Sequence, residues 1–178
     1  MKMRCVVTGH AGQGRSVFTA DEPLDPLTIS LAPGIEFYRI WGADQIPAVP
    51  NQASVPDSAA FFPAEGGFRV HVTTFPVEPA APPSNLDMSS AVSEAEQKLP
   101  GLLGHMEPDN PGMHTTRSVD VDIVLSGELV LELDDGVETL LRTGDIVVQN
   151  GTRHRWHNRG RVPATLVAFL VGAGGREG

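Results

Sequence analysis

Hydrophobic and polar residues alternate with a period of two along much of this chain, as they do in β-strands with one buried face. The alternation is clearest in "GFRVHVTTFPV", where Phe68, Val70 and Val72 share one face while Arg69 and His71 share the other. This pattern predicts a strand with its apolar face on the core. We therefore expect His71, on the polar face, to be a solvated strand residue.

Shorter patterns of the same kind fill the N-terminal part. "CVVTG" and "SVFTAD" flank the glycine loop "HAGQG" and predict a β-hairpin, and "TISLAP" and "EFYRIWGAD" are further strand candidates. Residues 45–66 carry four prolines and no period, which predicts a long surface loop.

One segment has the character of a helix. "SSAVSEAEQKL" offers serines as an N-cap and good helix formers within, and Pro100 follows to stop it. The proline-rich "EPAAPPSN" before it predicts a stiff connector. The loop after it holds His105, Glu107 and Asp109, which either line the mouth of a site or are simply solvated.

Residues 113–172 are a succession of short apolar runs separated by turn sequences. The turns are "SG", "DDG", "RTGD", "QNGT" and "NRGRVP". Short strands at such close, regular spacing predict an antiparallel sandwich or barrel.

The first part of this region resembles the first sequence motif of the cupins, a family of small jelly-roll barrels. In that motif two histidines one residue apart are followed by a carboxylate and, after six intervening residues, by a glycine at a tight turn. His114 takes the first histidine place, Thr116 replaces the second, Asp120 replaces the usual glutamate, and Gly127 is the turn glycine.

The stretch "GDIVVQNGTRHRWHN" resembles the second cupin motif. Gly144 and Asp145 form its turn, Gly151 precedes the next strand, His154 takes the third histidine place, and Asn158 follows four residues later. The segment between Gly144 and Gly151 is one residue shorter than usual and lacks the family's proline.

The resemblance implies an all-β cupin jelly roll with extra N-terminal strands and one short helix. We expect a single domain over residues 1–178. It would comprise N-terminal strands and a loop (1–76), the connector and helix (77–112) and the barrel core (113–172). The fold implies no particular reaction, since cupins include many classes of enzyme as well as storage proteins and sensors.

The resemblance also implies a metal site. His114, Asp120 and His154 would hold a divalent ion, because two histidines and one carboxylate suit iron(II) as well as manganese, nickel or zinc. If Asp120 is too short to reach, the histidines line a metal-free polar pocket, in which His154 and Asp120 are candidates for catalytic acid and base. A degenerate site is the third possibility.

Three further residues are candidates for a substrate pocket. Thr116, two residues from His114, and Trp156, two residues from His154, are expected to point inward because alternate strand residues share a face. Asp122 shares a face with Asp120; it would lie either in the pocket or in water at the rim.

Composition narrows the partners. The formal net charge of -9 at pH 7 disfavours nucleic acid and anionic membrane surfaces. The single cysteine, Cys5, forms no internal disulfide, and no run of about 18 apolar residues is present. We therefore expect a soluble, cytoplasmic protein.

We expect an enzyme of small-molecule metabolism, acting on an oxygenated organic acid or an aromatic, polyketide-like compound. Dioxygenase, decarboxylase, dehydratase and isomerase activities all stay open. The alternative is a metal-free sensor cupin that binds a small ligand without turnover. Because cupins often pair through an outer sheet face or by exchanging N-terminal strands, we also expect a homodimer.

Overall fold

The computed structural model describes residues 2–49, 60–77 and 82–175. Part of the predicted long loop (45–66) and part of the predicted connector (78–85) therefore lie outside the described residues. The strands are β1 (Met3–His10), β2 (Ser16–Leu24), β3 (Glu36–Ala43), β4 (Phe68–Phe75), β5 (Ser118–Ser126), β6 (Glu128–Glu132), β7 (Glu138–Arg142), β8 (Ile146–Asn150), β9 (Arg155–His157) and β10 (Ala164–Gly172). The α-helix is α1 (Met88–Lys98), and single 3₁₀ turns occur at Gly12–Gly14, Leu103–His105 and Asp134–Gly136.

The strands form two antiparallel sheets and a separate hairpin. The larger sheet has the order β3-β4-β10-β5-β8, the smaller has the order β7-β6-β9, and β1 pairs with β2 alone. An apolar cluster packs between the two sheets; it consists of Val124, Leu129, Leu131, Leu141, Ala164 and Leu166. The prediction of an all-β jelly roll with extra N-terminal strands and one short helix is confirmed.

The helix closes a second apolar cluster on one flank of the larger sheet. Ala95 and Leu99 pack there against Ile29, Phe37 and Phe61. The predicted helix is confirmed, but its predicted serine cap is wrong. Asp87 is the N-cap residue, and its carboxylate accepts hydrogen bonds from the backbone amides of Ser89 and Ser90. No helix within the described residues is long and apolar enough to cross a membrane.

The segment "TISLAP" does not form the predicted strand. Only Leu27, just before it, pairs with β3, by two backbone hydrogen bonds to Phe37. The segment then turns at Pro33 and Gly34, where Gly34 has a φ of 83°. Ile29 is buried in the cluster beneath the helix, so the apolar residues pack without a sheet partner.

The inner face of the larger sheet carries several polar residues beside apolar ones, and its outer face is largely apolar. On β5, Asp120 and Asp122 point inward and are buried, whereas Val119 and Val121 point outward and are exposed. On β4 the expectation that His71 is solvated is wrong, since only 4% of the residue is exposed. The alternation identified the strand correctly, but the side facing the barrel interior is the polar one.

Arg69, the inward neighbour of His71 on β4, is 1% exposed. Its guanidinium donates to the backbone carbonyls of Ala43, Ala60 and Phe68 and to the carboxylate of Asp44. Because its donors have partners, this buried arginine holds the loop at Ala60 against the sheet.

Candidate functional site

His114 and His154 lie side by side because their backbones pair. Each backbone amide donates to the carbonyl of the other residue, at 3.0 Å from His114 and 2.9 Å from His154. This isolated bridge lies outside the regular strands, since β5 begins only at Ser118. The centres of the two imidazole rings are 4.2 Å apart.

Both imidazoles are oriented through Nδ1. The Nδ1–H of His114 donates to the carbonyl of Gly112 at 3.0 Å, and that of His154 donates to the carbonyl of Thr152 at 2.9 Å. A histidine held in this way carries its proton on Nδ1 and keeps a lone pair on Nε2, the arrangement that histidine ligands of metals usually have.

Both rings are neutral at physiological pH. Burial lowers the pKa of His154 to about 4, and the neighbouring His114 lowers it further in the same direction. Burial likewise lowers the pKa of His114, and the nearby His105 adds to the effect. A neutral imidazole is the form that binds a metal ion or accepts a proton.

Two carboxylates on β5 face the interior without a cationic partner. Burial raises the pKa of Asp120 to about 6, against the opposing effect of the Ser118 hydroxyl. Burial and the charge of Asp120 together raise the pKa of Asp122 to about 7. Within the described ranges neither carboxylate forms an ion pair, and Oδ1 of Asp120 has no hydrogen-bond partner.

The three predicted metal ligands are not all gathered at one point. His114 and His154 are adjacent, but the ligand atoms of these two residues and Asp120 do not all lie within 4.8 Å of one another. The donors are therefore of the right chemical kind for a divalent ion, and two of the three are in place. Ligation by Asp120 requires its side chain or the histidine rings to move.

In the described part of the chain, one other group does meet this distance criterion: Glu132, Glu138 and His157. These residues lie on the outer face of the smaller sheet. His157 and Arg155 both contact the Glu132 carboxylate, and Arg159 forms an ion pair with Glu138 at 2.7 Å. Because arginines balance both carboxylates, this group is an ion-pair network without need of a metal.

The three predicted pocket residues lie inside the barrel but line no common cavity. Thr116 is buried, accepts a hydrogen bond from the Ser118 hydroxyl at 2.9 Å, and lines a cavity of about 220 Å³. Asp122 is buried in the interior, which excludes the solvated rim position. Trp156 packs beside the apolar cluster between the sheets and meets the His154 ring edge-on.

The mouth of this cavity contains an aromatic residue that the sequence did not identify. Phe62 lies 4.6 Å from the ring of His105 and stacks on His114 at 6.3 Å, measured between ring centres. His105 lines the cavity, whereas Glu107 from the same loop is held by Arg153. Only the long-range packing of two loops brings Phe62 and His105 together, so no local pattern could reveal the pair.

Two more inward side chains, His71 and Gln149, also escaped the sequence analysis. Both are buried, and each has one side-chain nitrogen without a hydrogen-bond partner among the residues described. The signal for Gln149 was present in the sequence. It lies in the shortened segment before Gly151, where the family's proline is absent.

Comparison with known proteins identifies several similar sequences. The family described as "Cupin domain" matches residues 104–170. Phomopsin biosynthesis cluster protein C' of Diaporthe leptostromiformis is 36% identical over 128 residues, covering 66% of this chain and 68% of the relative. Cupin-domain-containing oxidoreductase virC of Hypocrea virens is 39% identical over 62 residues, covering 33% of this chain and 32% of the relative.

Among solved structures, a predicted oxalate decarboxylase from Thermotoga maritima aligns with a TM-score of 0.44 and 15% identity over 83% of this chain and 92% of that chain. The matched family segment, residues 104–170, contains both motifs and the bridge between His114 and His154. The alignment with the Diaporthe relative extends over two thirds of its length. The chain is therefore a small cupin, a member of the cupin superfamily.

Proposed function

We propose that this protein is an enzyme that acts on a small organic molecule inside the barrel, using a divalent metal held by His114, His154 and Asp120. The observation that carries the proposal is the pair of neutral imidazoles, each with Nδ1 tied to a backbone carbonyl. Relatives named as cupin-domain-containing oxidoreductases, including virC, support an enzymatic role. Relatives named for the phomopsin and oryzines biosynthesis clusters support a secondary-metabolite substrate.

The interior charge also favours a cation. Two carboxylates side by side in a buried site repel each other unless a proton or a cation intervenes. A bound ion of iron, manganese, nickel or zinc would polarise a carbonyl or enolate oxygen, or activate dioxygen. Thr116 stands in the second histidine place of the motif and is a weak ligand, so one more coordination position is open to substrate or water.

The chain's own residues would orient the substrate. Phe62 contacts His114 and Trp156 contacts His154, so aromatic surfaces lie beside both histidines, and Phe62 also lines the cavity at Thr116. Flat, apolar ring systems suit such walls. A metal-free ligand-binding cupin is the second candidate, favoured by the separation of Asp120 from the histidines.

Metal analysis of protein purified without an affinity tag tests the proposal. We expect near-stoichiometric iron, manganese, nickel or zinc in the wild type and its loss in His154→Ala. His157→Ala is the matched control, because it removes a histidine of the outer ion-pair network and should leave the metal bound. Loss of metal in His157→Ala alone would place the ion in the outer network. Absence of metal after anaerobic reconstitution with iron(II) would favour the metal-free candidate.

We further propose that two copies pair through the outer face of the larger sheet. Six large apolar residues there are between 38% and 61% exposed: Val119, Val121, Ile146, Val148, Phe169 and Val171. None of the outward positions of β5, β8 and β10 carries a charge. Two chains of net charge -9 repel each other over most of their surfaces, so a charge-free face is where they can approach.

The exposed part of this face is small. Tyr38, Val72 and Thr74 are buried, so the outer face is covered at β3 and β4. The remaining strands β10, β5 and β8, about 4.8 Å apart with about seven residues each rising about 3.4 Å, give an exposed face of roughly 350 Å². Two stacked copies would bury roughly 700 Å² in total, which is the size of a weak, concentration-dependent association.

A further inference from the structure

Three buried side-chain atoms of the described residues have no hydrogen-bond partner: His71 Nε2, Asp120 Oδ1 and Gln149 Nε2. All three side chains project from the inner face of the larger sheet. Folded proteins satisfy nearly all of their buried polar groups, and each exception needs an explanation. Three exceptions on one inner surface indicate that this surface binds something polar.

Gln149 is the most informative of the three. Its side-chain nitrogen can only donate hydrogen bonds, so a metal ion satisfies Asp120 but never Gln149. The other end of the amide is fixed, because Oε1 accepts a hydrogen bond from the Thr152 hydroxyl at 2.6 Å. The residue is 3% exposed and lies directly opposite Asp120 in the register of β8 and β5. A fixed, buried donor therefore faces the interior and requires an acceptor atom.

The surroundings of Gln149 restrict the acceptor. Asp120 and Asp122 are close by on β5 and have no arginine or lysine partner in the described part of the chain. A ligand carboxylate or phosphate placed there would gain no ion pair and, in the metal-free protein, would add a further acidic group beside Asp120 and Asp122. A neutral carbonyl or hydroxyl oxygen meets no such penalty.

His71 marks the other end of the same surface. In the sheet register it lies level with Asp122, with only the small side chain of Ala168 between them. Its ring packs against that of Phe61 with ring centres 4.2 Å apart and the ring planes tilted by 34°. An aromatic or otherwise flat ligand lying across Ala168 would find polar atoms at both ends.

We infer that Gln149 is a ligand-binding residue whose side-chain amide donates a hydrogen bond to a neutral carbonyl or hydroxyl oxygen of a small molecule held on this face. The inference rests on the proposal that a small molecule binds inside the barrel. The hydrogen bond from Gln149 does not depend on a bound metal, whereas the exclusion of a ligand carboxylate applies to the metal-free protein, in which no cation balances Asp120 and Asp122. The inference narrows the expected ligand from organic acids to neutral oxygenated compounds.

Acetophenone, benzoate and ethylbenzene are suitable probes, because they share a ring and differ in carrying a ketone, a carboxylate or no oxygen. Titration of ¹⁵N-labelled protein followed by NMR gives dissociation constants and reports on the Gln149 side-chain amide directly. We expect acetophenone to bind more tightly than benzoate. Gln149→Leu should weaken acetophenone about five- to tenfold, the value of one buried neutral hydrogen bond, and leave ethylbenzene unchanged.

Two further variants make the result decisive. Gln149→Met keeps the approximate size of the side chain but removes the donor, so it should also weaken acetophenone. Gln97→Leu, on an exposed position of α1, is the matched control and should bind all probes like the wild type.

Several outcomes would overturn the inference. These are no detectable acetophenone binding to the wild type, equal acetophenone binding by wild type and Gln149→Leu, or tighter binding of benzoate. Lower thermal stability of Gln149→Leu with unchanged binding would assign the donor to a structural water. The metal content of each sample, measured separately, distinguishes failure of the proposed metal site from failure of this inference.

Discussion

The two faces of the five-stranded sheet reverse the usual arrangement of a soluble β-sandwich. The inner face carries Asp120, Asp122, His71 and Gln149 at its centre, whereas the outward positions of β5, β8 and β10 are almost all valine, isoleucine, leucine or phenylalanine. In most antiparallel sheets the apolar face is the buried one. This arrangement underlies both proposals, because buried polar groups suit ligand binding in the interior and exposed apolar groups suit association at the exterior.

The fold tolerates polar groups on this inner face because apolar clusters pack on either side of them. One apolar cluster lies between the sheets around Val124 and Leu129, and another lies under the helix around Leu99 and Phe61. Burial of such side chains contributes about 1.5–3 kcal/mol each. These flanking clusters offset the cost of placing unpaired polar groups between them.

The largest expected effect comes from charging the outer face. Phe169→Glu puts a carboxylate in the middle of the apolar patch, on the central strand β10. In a dimer this charge would be buried opposite its own copy, so we expect dissociation into monomers at concentrations at which the wild type is dimeric. Sedimentation equilibrium, with circular dichroism to verify the fold, measures the effect.

Phe18→Glu is the matched control, because Phe18 is 76% exposed on β2, away from the patch. It introduces the same charge and should leave the dimer intact. If Phe18→Glu dissociates the protein while Phe169→Glu does not, the hairpin is the interface instead. A wild type that is monomeric at every concentration would contradict pairing altogether.

A smaller effect is expected on the inner face, where Asp122→Asn should change how the stability of the metal-free protein depends on pH. Burial raises the pKa of Asp122 in the folded protein to about 7, from its ordinary value of 3.8. The folded state therefore binds this proton more tightly than the unfolded state does. The resulting contribution to the free energy of unfolding is fully present below about pH 4 and is lost as the pH rises through 7. Asparagine does not titrate and so avoids this loss. The free energy of unfolding of the variant, relative to that of the wild type, should therefore rise by on the order of 3 kcal/mol between pH 4 and pH 8.

Urea unfolding of both proteins at several pH values measures this gain. Taking the difference between variant and wild type cancels the opposite contribution of His154, whose lowered pKa makes folding less favourable as pH falls. Asp109→Asn, on an exposed loop, should parallel the wild type. A pH-independent difference for Asp122→Asn would mean that the carboxyl of Asp122 is not desolvated.

The strands of the barrel were predictable because their turns are local. Gly127, Gly144 and Gly151 all adopt positive φ, at 75°, 93° and 65°, where glycine is strongly preferred. The face of β4 was not predictable, since a period of two tells which residues share a face but not which face is inside. The site was predictable only where motif spacing fixed it. The pairing of His105 with Phe62 depends on loops distant in sequence.

The smallest expected effect concerns a polar pair at the covered end of the outer face. The hydroxyls of Thr74 and Thr165, on adjacent strands, are buried and hydrogen-bonded at 3.1 Å. Thr74→Val leaves the Thr165 hydroxyl without a partner and should cost about 1–2 kcal/mol, whereas the double variant with Thr165→Val should recover most of this loss. A double-mutant cycle by urea unfolding measures the coupling. If the losses in free energy of unfolding are additive, each hydroxyl is stabilised separately. If the double variant recovers the loss, this corner accepts an entirely apolar surface, like the rest of the outer face.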